Sequence, residues 1–312
     1  MRNTLTGSLS RFVFTVRRHT VLILMVLPAV FLCLLLCYFP MTGIIVAFKT
    51  YNYRGGIFGS PWAGLLNFQY FFSSGKALTV TINTLLFNLI FIFLGTFFQI
   101  MIAISVAEVN GRYVKKVSQS VMFLPFFISW VVVSGFMYNL FNFDTGVLNG
   151  YRELFHLAPV NIYSEPAYWY LILPLLNLWK YTGYGSVIFL AAIMSIGTEY
   201  YEVAEIDGAN RFQQIRHIML PLLRPTVIII VLLALGRILR GDFDMFYQVI
   251  GANSALYKAT DIIDTFVFRS LVIYNEIGVT SAAAFYQSVV CFILIVVVNA
   301  VVKRYQEDSA LF

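Results

Sequence analysis

The sequence predicts an all-α membrane protein with six transmembrane helices. Hydrophobic residues make up 60% of its 312 residues, whereas charged residues make up only 12%. Soluble domains carry about 25% charged residues, so an apolar excess of this size needs lipid as the solvent for much of the chain. The apolar residues also lie in long runs without charges, and the basic residues lie between those runs. These two patterns define the individual spans and their direction.

Five runs are long enough to cross a bilayer, since a spanning helix needs about 20 mostly apolar residues. Their limits are 20–48, 77–107, 117–143, 166–198 and 277–302. Together these five runs contain one charged residue, Lys180. A sixth span, Leu222–Gly241, is weaker because three arginines interrupt it: Arg224, Arg237 and Arg240.

The basic residues favour the sixth span. With six spans, four basic segments fall on one side of the membrane: the N-terminal segment, the loop around Lys115, the loop 197–224 and the tail. Short loops rich in lysine and arginine stay in the cytoplasm, so both termini are predicted to be cytoplasmic. The predicted organisation is a cytoplasmic segment 1–19, a transmembrane domain 20–302 with a loop at 197–221, and a tail 303–312. The net charge of +6 fits this topology, and a nucleic-acid-binding face is not predicted.

The loop between spans 4 and 5 is a polar, helix-compatible segment between two apolar runs. Thr198 is predicted to cap a helix that ends near Ile206. Asp207 and Gly208 then break the helix, because glycine tolerates the backbone geometry of a tight turn. A second helix is expected from about Ala209 to His217, and Pro221 is expected to begin the next span. The predicted product is a short helix–turn–helix on the cytoplasmic face.

Six residues of this loop follow one pattern in order: Glu202, Ala204, Gly208, Ile218, Leu220 and Pro221. The pattern resembles the EAA loop of ABC importer permeases, with Val203 where that family usually has alanine. In that family the loop receives the movement of a separate ATPase. The resemblance therefore implies an ATPase-coupling element. Its small residues Ala204, Gly208 and Ala209 would let it sit in a groove of a partner, and charges such as Glu202 and Asp207 could pair at the rim.

The resemblance covers nearly the whole chain. Further segments look like the LplB-type permeases of the binding-protein-dependent carbohydrate-uptake family: Ser60–Phe68, Leu124–Trp130, Trp179–Gly183 and Asp261–Arg269. It implies the type I ABC importer permease fold, multi-pass in a bacterial cytoplasmic (inner) membrane. It also implies that an oligosaccharide, delivered by an extracytoplasmic solute-binding protein, passes between this chain and a second permease, expected to be a different chain.

The resemblance further implies that this chain is a transport subunit and not an enzyme. Two ABC ATPase subunits would hold the ATP and Mg, and no cofactor is expected on this chain. The sequence agrees, because it contains no Gly-x-x-x-x-Gly-Lys-Ser/Thr loop to bind nucleotide phosphates.

Polar residues inside the spans are candidates for the substrate path, because such residues are costly in lipid and often functional. Asn177, Lys180, Tyr181 and Tyr184 lie on one face of the fourth span, Asn88 and Gln99 on the second, and Gln287 on the last. Amides, hydroxyls and aromatic rings match sugars, and a lysine attracts acidic sugars. The alternatives are that these groups only join helices by hydrogen bonds, or that Lys180 extends to the membrane surface.

Two other functional classes remain open at this stage. An ion-coupled secondary sugar transporter would need acidic groups in its spans, yet the five strong spans contain neither Asp nor Glu. A membrane enzyme would need a catalytic cluster, yet the three histidines, His19, His156 and His217, are far apart in the sequence. The cysteines have no metal-ligand spacing with histidine, and they are interpreted as small apolar packing residues.

Overall fold

The computed structural model describes residues 19–109 and 111–305. The predicted segment 1–19, apart from His19, and the tail beyond Tyr305 lie outside these residues. The described backbone is mostly helical, and an antiparallel bridge between Lys49 and Trp62 is its isolated β contact.

Helices follow one another along the whole described chain. They are α1 (Thr20–Cys33), α2 (Gly56–Gly59), α3 (Leu66–Ser73), α4 (Lys76–Glu108), α5 (Arg112–Phe127), α6 (Trp130–Phe141), α7 (Val147–Leu154), α8 (Trp169–Met194), α9 (Thr198–Ile206), α10 (Arg211–Gln214), α11 (Leu220–Leu235), α12 (Phe243–Ile250), α13 (Tyr257–Thr260), α14 (Ile263–Val272) and α15 (Ile277–Tyr305). Other helical turns extend them: π at Leu34–Tyr38 and Ile215–Met219, and 3-10 at Phe39–Phe48, Pro166–Tyr168 and Ser254–Leu256.

The helices supply the six predicted spans. Four are uninterrupted and long and apolar enough to cross a membrane: Thr20–Phe48, Lys76–Glu108, Arg211–Leu235 and Ile277–Arg304. The third span is a bent pair, Tyr113–Phe127 with Trp130–Phe141, and the fourth is Pro166–Met194, followed at 68° by α9. The all-α membrane architecture with six spans is therefore confirmed.

Two ends of the bundle are distinguished by their connections. The coupling end carries α9, α10 and the π turn Ile215–Met219. The loop end carries the segments 49–75, 142–168 and 236–276. The charged residues of α4 stand at its two ends, Lys76 at the loop end and Glu108 at the coupling end, and the residues between them carry no charge.

The third span differs from the continuous helix predicted over 117–143. Its two parts, α5 and α6, meet at an angle of 85°. The backbone leaves the helical region at Ile128 (ψ 125°), and Ser129 caps α6 by accepting a hydrogen bond from the N–H of Val132 at 3.4 Å. Pro125 also removes one hydrogen bond from the last turn of α5. Counting charges cannot detect such a break, because no charged residue lies between residues 117 and 143 on either side of it.

The fifth span is also shorter at its loop end than predicted, since α11 stops at Leu235 and not at Gly241. Turns follow, and their carbonyl groups no longer accept the hydrogen bonds of a regular helix. The side chains of Asn88 and Gln287 bind these carbonyls: Asn88 Nδ2 lies 2.9 Å from Ile238 O, and Gln287 Nε2 lies 2.6 Å from Leu239 O. Side chains of neighbouring spans thus donate hydrogen bonds to the carbonyl groups beyond the end of α11, as buried backbone in a membrane requires.

The core of the bundle lies where α4 and α8 pack along each other. Two glycines of α8 permit close approach to the neighbouring helices. A Cβ on Gly183 would lie 2.0 Å from Met122 O, and one on Gly185 would lie 2.3 Å from the side chain of Gln99. Small residues at helix contacts are typical of membrane bundles. These glycines therefore serve packing in this conformation.

The segment 236–276 fills the loop end beside α4. Helix α14 (Ile263–Val272) is part of this segment. Its Arg269 forms a buried ion pair with Asp261 at 2.5 Å, and the same guanidinium lies 3.9 Å from the ring centroid of Tyr257. Burial raises the pKa of Asp261, while the hydrogen bond and charge of Arg269 oppose that shift. Asn83 adds hydrogen bonds to the carbonyls of Lys258 and Asp261, so α4 fixes this segment from outside while the ion pair joins Asp261 to α14 within it.

Candidate functional site

Helix α9 lies at the coupling end with one side against its own chain. Tyr201 and Ala204 are half-buried, and Tyr201 packs on a cluster that contains Ile193 and Met219. Burial raises the pKa of Tyr201, and the nearby charge of Glu108 adds to the shift. Ala204, expected to fit a groove in a partner, thus lies on the side that faces its own chain. Thr198 is not the predicted cap, because the N-cap is Gly197 and no side chain caps the helix there.

The turn at Gly208 is a Schellman motif. The N–H of Ala209 donates to Ala204 O at 2.8 Å, and the N–H of Gly208 donates to Glu205 O at 3.1 Å. These two hydrogen bonds define a helix end at which one residue adopts the left-handed backbone conformation. Gly208 supplies that residue with φ +79°, and a Cβ there would meet nothing within 4 Å. The glycine is therefore required by its backbone angle and not by lack of space.

A capping box begins the next helix directly after the turn. Asn210 Oδ1 accepts from the N–H of Gln213 at 2.9 Å, and Gln213 Oε1 accepts from the N–H of Asn210 at 2.7 Å. This reciprocal arrangement fixes a helix start. The predicted stop near His217 and the new start at Pro221 are both wrong. The helix runs through a π turn at Ile215–Met219, which includes Ile218, and continues through Leu220 and Pro221 as far as Leu235.

The physical reason lies in the position of Pro221. Proline clashes with the carbonyl four residues earlier in a regular α-helix and cannot donate to it. The residues before Pro221 form the wider π turn Ile215–Met219, which avoids this clash, so the helix continues past the proline. The loop is consequently not a free helix–turn–helix, because its second helix is the first part of span 5.

Contacts at the coupling end join α9 to the end of α4. Arg211 lies 3.9 Å from Glu108 and 3.5 Å from Glu205, and its guanidinium also donates to Gln214 Oε1 at 3.1 Å. Exposed ion pairs contribute only about 0–1 kcal/mol. Packing is the stronger link, since Tyr201 of α9 packs on a buried cluster that contains residues of α4, α8 and α11. Movement of α9 would therefore be transmitted to α4, α8 and α11 together.

Four apolar side chains at the coupling end point away from the chain. This coupling patch consists of Tyr200, Val203, Ile206 and Phe212, of which Ile206 is 86% exposed. Charged residues, including Glu202 and Asp207, are exposed around it. This apolar patch was not predicted from the sequence, where small residues and charges were expected to form the contact surface. The available signal was the spacing of three apolar residues at i, i+3 and i+6 within a polar loop.

A second site lies near the middle of α8, where the breaks of spans 3 and 5 meet. Lys180 is buried there, with its ammonium group at the end of α5. It donates hydrogen bonds to the carbonyls of Phe126 at 3.1 Å, Pro125 at 3.5 Å and Ile128. It also lies 5.1 Å from the ring centroid of Trp130. A cation favours the negative end of a helix dipole, so Lys180 stabilises the break of span 3.

Asp242 joins the same break to α12. Its Oδ2 accepts from the hydroxyl of Tyr181 at 2.7 Å and from the indole N–H of Trp130 at 3.2 Å. Its Oδ1 accepts from the N–H of Met245 at 3.1 Å and so caps α12. We call this cluster of Lys180, Tyr181, Trp130 and Asp242 the break cluster. Lys180 and Tyr181 were predicted as substrate-path residues, but Trp130 and Asp242 were not connected with them, because the contacts cross three elements.

The other substrate-path candidates do not gather at one point. Asn88 and Gln287 bind the end of α11, and Gln99 packs on Gly185. Tyr184 stacks on Phe126 with a centroid distance of 4.1 Å, and Asn177 is half-buried on α8. Most of these side chains therefore bind backbone or pack on neighbouring helices in this conformation.

A groove extends from the break cluster toward the loop end. It consists of two cavities along α6 and α12, of about 410 Å³ and about 510 Å³. Gln248 lines both of them. The first also contains Ser129, Trp130 and Asp244, and the second contains Ser134, Tyr138 and Asn139. Irregular backbone that borders a cavity near the middle of the spans is typical of transport sites.

Comparisons with known proteins agree with this geometry. LplB of Bacillus subtilis is 30% identical over 296 residues, which cover 94% of this chain and 92% of that protein. The polygalacturonan/rhamnogalacturonan transport system permease protein YteP of Bacillus subtilis is 30% identical over 290 residues, covering 92% of this chain and 89% of YteP.

Solved structures of an alginate importer are also similar. A bacterial ABC transporter involved in import of the acidic polysaccharide alginate matches with a TM-score of 0.85 at 30% identity, over 95% of this chain and 99% of that one. A bacterial alginate ABC transporter in complex with alginate pentasaccharide-bound periplasmic protein matches with a TM-score of 0.83 at 30% identity, over 93% and 96%. Residues 99–307, more than half of the chain, match the model of the binding-protein-dependent transport system inner membrane component. With its six spans and its coupling end, the chain belongs to that family, the permeases of ABC importers.

Proposed function

We propose that this chain forms one half of the path through which an ATP-driven importer takes up an oligosaccharide. The observation that supports it most strongly is the coupling end: α9 is packed onto three spans, and α9 and α10 together still present four unburied apolar side chains. The relatives named for pectic polysaccharides and alginate support a saccharide substrate. In this proposal a binding protein delivers the sugar to the loop end.

The partner of the coupling patch is an ABC ATPase subunit. Ile206 and its neighbours would enter an apolar groove on that subunit, with Glu202 and Asp207 at the rim. ATP and Mg would be held by two such subunits, so the chemical step lies outside this chain. Closure of the ATPases would move α9 and, through its packing, would rock α4, α8 and α11.

The coupling end is therefore assigned to the cytoplasm, and both termini with it. The loop end faces the binding protein on the opposite side of the bacterial cytoplasmic membrane. No residue of α1 is buried within this chain, so lipid and a second permease are available to cover it. A different chain is expected as that second permease, as the resemblance implies.

Replacing Ile206 by aspartate is expected to weaken capture of the ATPase subunits by roughly tenfold or more. Burial of an isoleucine side chain contributes about 1.5–3 kcal/mol, which corresponds to roughly 10–100-fold in affinity. The measurement is the amount of ATPase subunit that copurifies with the tagged permease in detergent. Ile206→Leu is the matched control and should copurify normally. Equal capture by both variants would contradict the assignment of the patch.

An ion-coupled carrier is the second candidate, and one observation favours it. The structure places Asp242 close to Lys180 near the middle of span 4, where a carrier could bind a proton or a cation. Both oxygens of Asp242 already accept hydrogen bonds, however, from Trp130, Tyr181 and Met245. Uptake that persists with a protonophore and stops without the ATPase would exclude the carrier.

A further inference from the structure

The groove along α6 and α12 has an uneven charge. Lys180 lines its inner end, but its ammonium group is directed to the backbone carbonyls of the α5 break. The Asp242 carboxylate already accepts hydrogen bonds from Trp130 and Tyr181. Asp244 is different: its carboxylate is exposed in the first cavity, and the described hydrogen bonds and ion pairs give it no partner.

Other cations of the neighbourhood do not compensate for Asp244 within the groove. Arg237 and Arg240 are exposed in the turns before α12, and neither lines the two cavities. Lys76 and Lys258 line a separate cavity at the loop end of α4. A ligand in the described part of the groove therefore meets one free carboxylate and no free cation.

The remaining lining is suited to a polyhydroxylated ligand. Ser134 and Asn139 lie on α6, and the Gln248 side chain joins the two cavities. Tyr138 adds an exposed aromatic ring, whose face can cover the apolar face of a sugar ring. A carboxylate is an acceptor with two oxygens, so it binds two sugar hydroxyls well. The same carboxylate repels a uronate group, since like charges destabilise each other in a partly dry site.

We infer that this groove selects uncharged saccharides, with Asp244 as the residue that determines this specificity. The inference rests on the proposed function and narrows its substrate class. It separates this chain from the relatives that are named for alginate and polygalacturonan, which are acidic polymers. Asp244 then binds hydroxyl groups of a neutral sugar unit while that unit passes the break cluster. Gln248, which lines both cavities, contacts the unit as it moves from the first cavity to the second.

The test uses the full complex, with its second permease, ATPase subunits and binding protein, in proteoliposomes with ATP. The probes are length-matched neutral oligosaccharides (cello-, xylo- and mannotrioses) and uronate trisaccharides (galacturonate, mannuronate). Wild type is expected to take up a neutral probe. Asp244→Asn is expected to raise the concentration of half-maximal uptake of that probe about tenfold, since hydrogen bonds to a charged group contribute more than neutral ones. Asp144→Asn, an exposed acid on the 142–168 segment, is the matched control and should behave as wild type.

A second variant separates a binding role from a folding role. Asp244→Lys should abolish neutral uptake and allow uronate to inhibit the ATPase stimulation by the neutral probe. Preferential uptake of uronates by wild type, or unchanged half-maximal uptake in Asp244→Asn, would overturn the inference while leaving the proposed function intact. Absence of ATP-dependent uptake for every saccharide, charged and neutral, would overturn the proposed function itself.

Discussion

Replacement of Gly208 by valine is expected to lower sugar-stimulated ATP hydrolysis and uptake about tenfold or more. Gly208 holds φ +79° in the Schellman turn that ends α9. A side chain in the left-handed region costs roughly 1–2 kcal/mol, and a β-branched one is worse. Because 1.4 kcal/mol corresponds to about a factor of ten, the population of the native turn relative to other geometries would fall about tenfold or more. The coupling patch would then lose its position relative to α4 and α8.

Gly208→Asn provides the matched control. Asparagine tolerates the left-handed region better than other side chains, and a Cβ at this position meets nothing within 4 Å. The asparagine variant should retain most of the stimulated hydrolysis. The measurement is ATP hydrolysis with and without sugar-loaded binding protein, at equal amounts of assembled complex. Equal losses in both variants would contradict the backbone explanation, because they would indicate that any added side chain disturbs docking.

Replacement of Lys180 by methionine is expected to destabilise the complex by about 3 kcal/mol and to reduce uptake. The ammonium group is the donor for three carbonyls at the break of span 3, and it lies against Trp130. A buried acceptor that loses its donor costs about 1–3 kcal/mol. Methionine keeps most of the length of the unbranched side chain and ends about where the lysine Cε does, so the lost hydrogen bonds dominate the effect. The midpoint of thermal unfolding in detergent should fall by several degrees.

A comparison of stability with transport kinetics then decides the role of Lys180. Lys116→Met, at an exposed position on α5, should leave both properties unchanged. Lys180→Arg should recover part of the stability, since it keeps the charge. If Lys180→Met were as stable as wild type but required more sugar for half-maximal uptake, Lys180 would be a substrate contact and the structural assignment would be contradicted.

The number and placement of the spans could be predicted because charge and apolar length report directly on the bilayer. The breaks could not be predicted in the same way. Residues 117–143 carry no charge throughout, and the break at Ile128–Ser129 depends on Lys180, which lies on another helix. Likewise, the end of α11 depends on Asn88 and Gln287 from two different spans.

The coupling loop shows the same division between local and long-range information. Gly208 and the end of α9 followed from local rules, because a turn with positive φ leaves a clear sequence signal. The continuation through Pro221 did not, because a π turn accommodates the proline. The apolar coupling patch was missed because exposure at Tyr200, Val203 and Ile206 depends on which side of α9 the bundle covers.

Uptake into proteoliposomes tests the central claim most directly. The vesicles contain the assembled complex with ATP on the side of α9, and labelled oligosaccharide with binding protein is added on the opposite side. The account predicts accumulation that requires both ATP and binding protein, persists with a protonophore, and falls with Gly208→Val. Accumulation driven by an ion gradient, without ATP and unaffected by the Gly208 substitution, would contradict it.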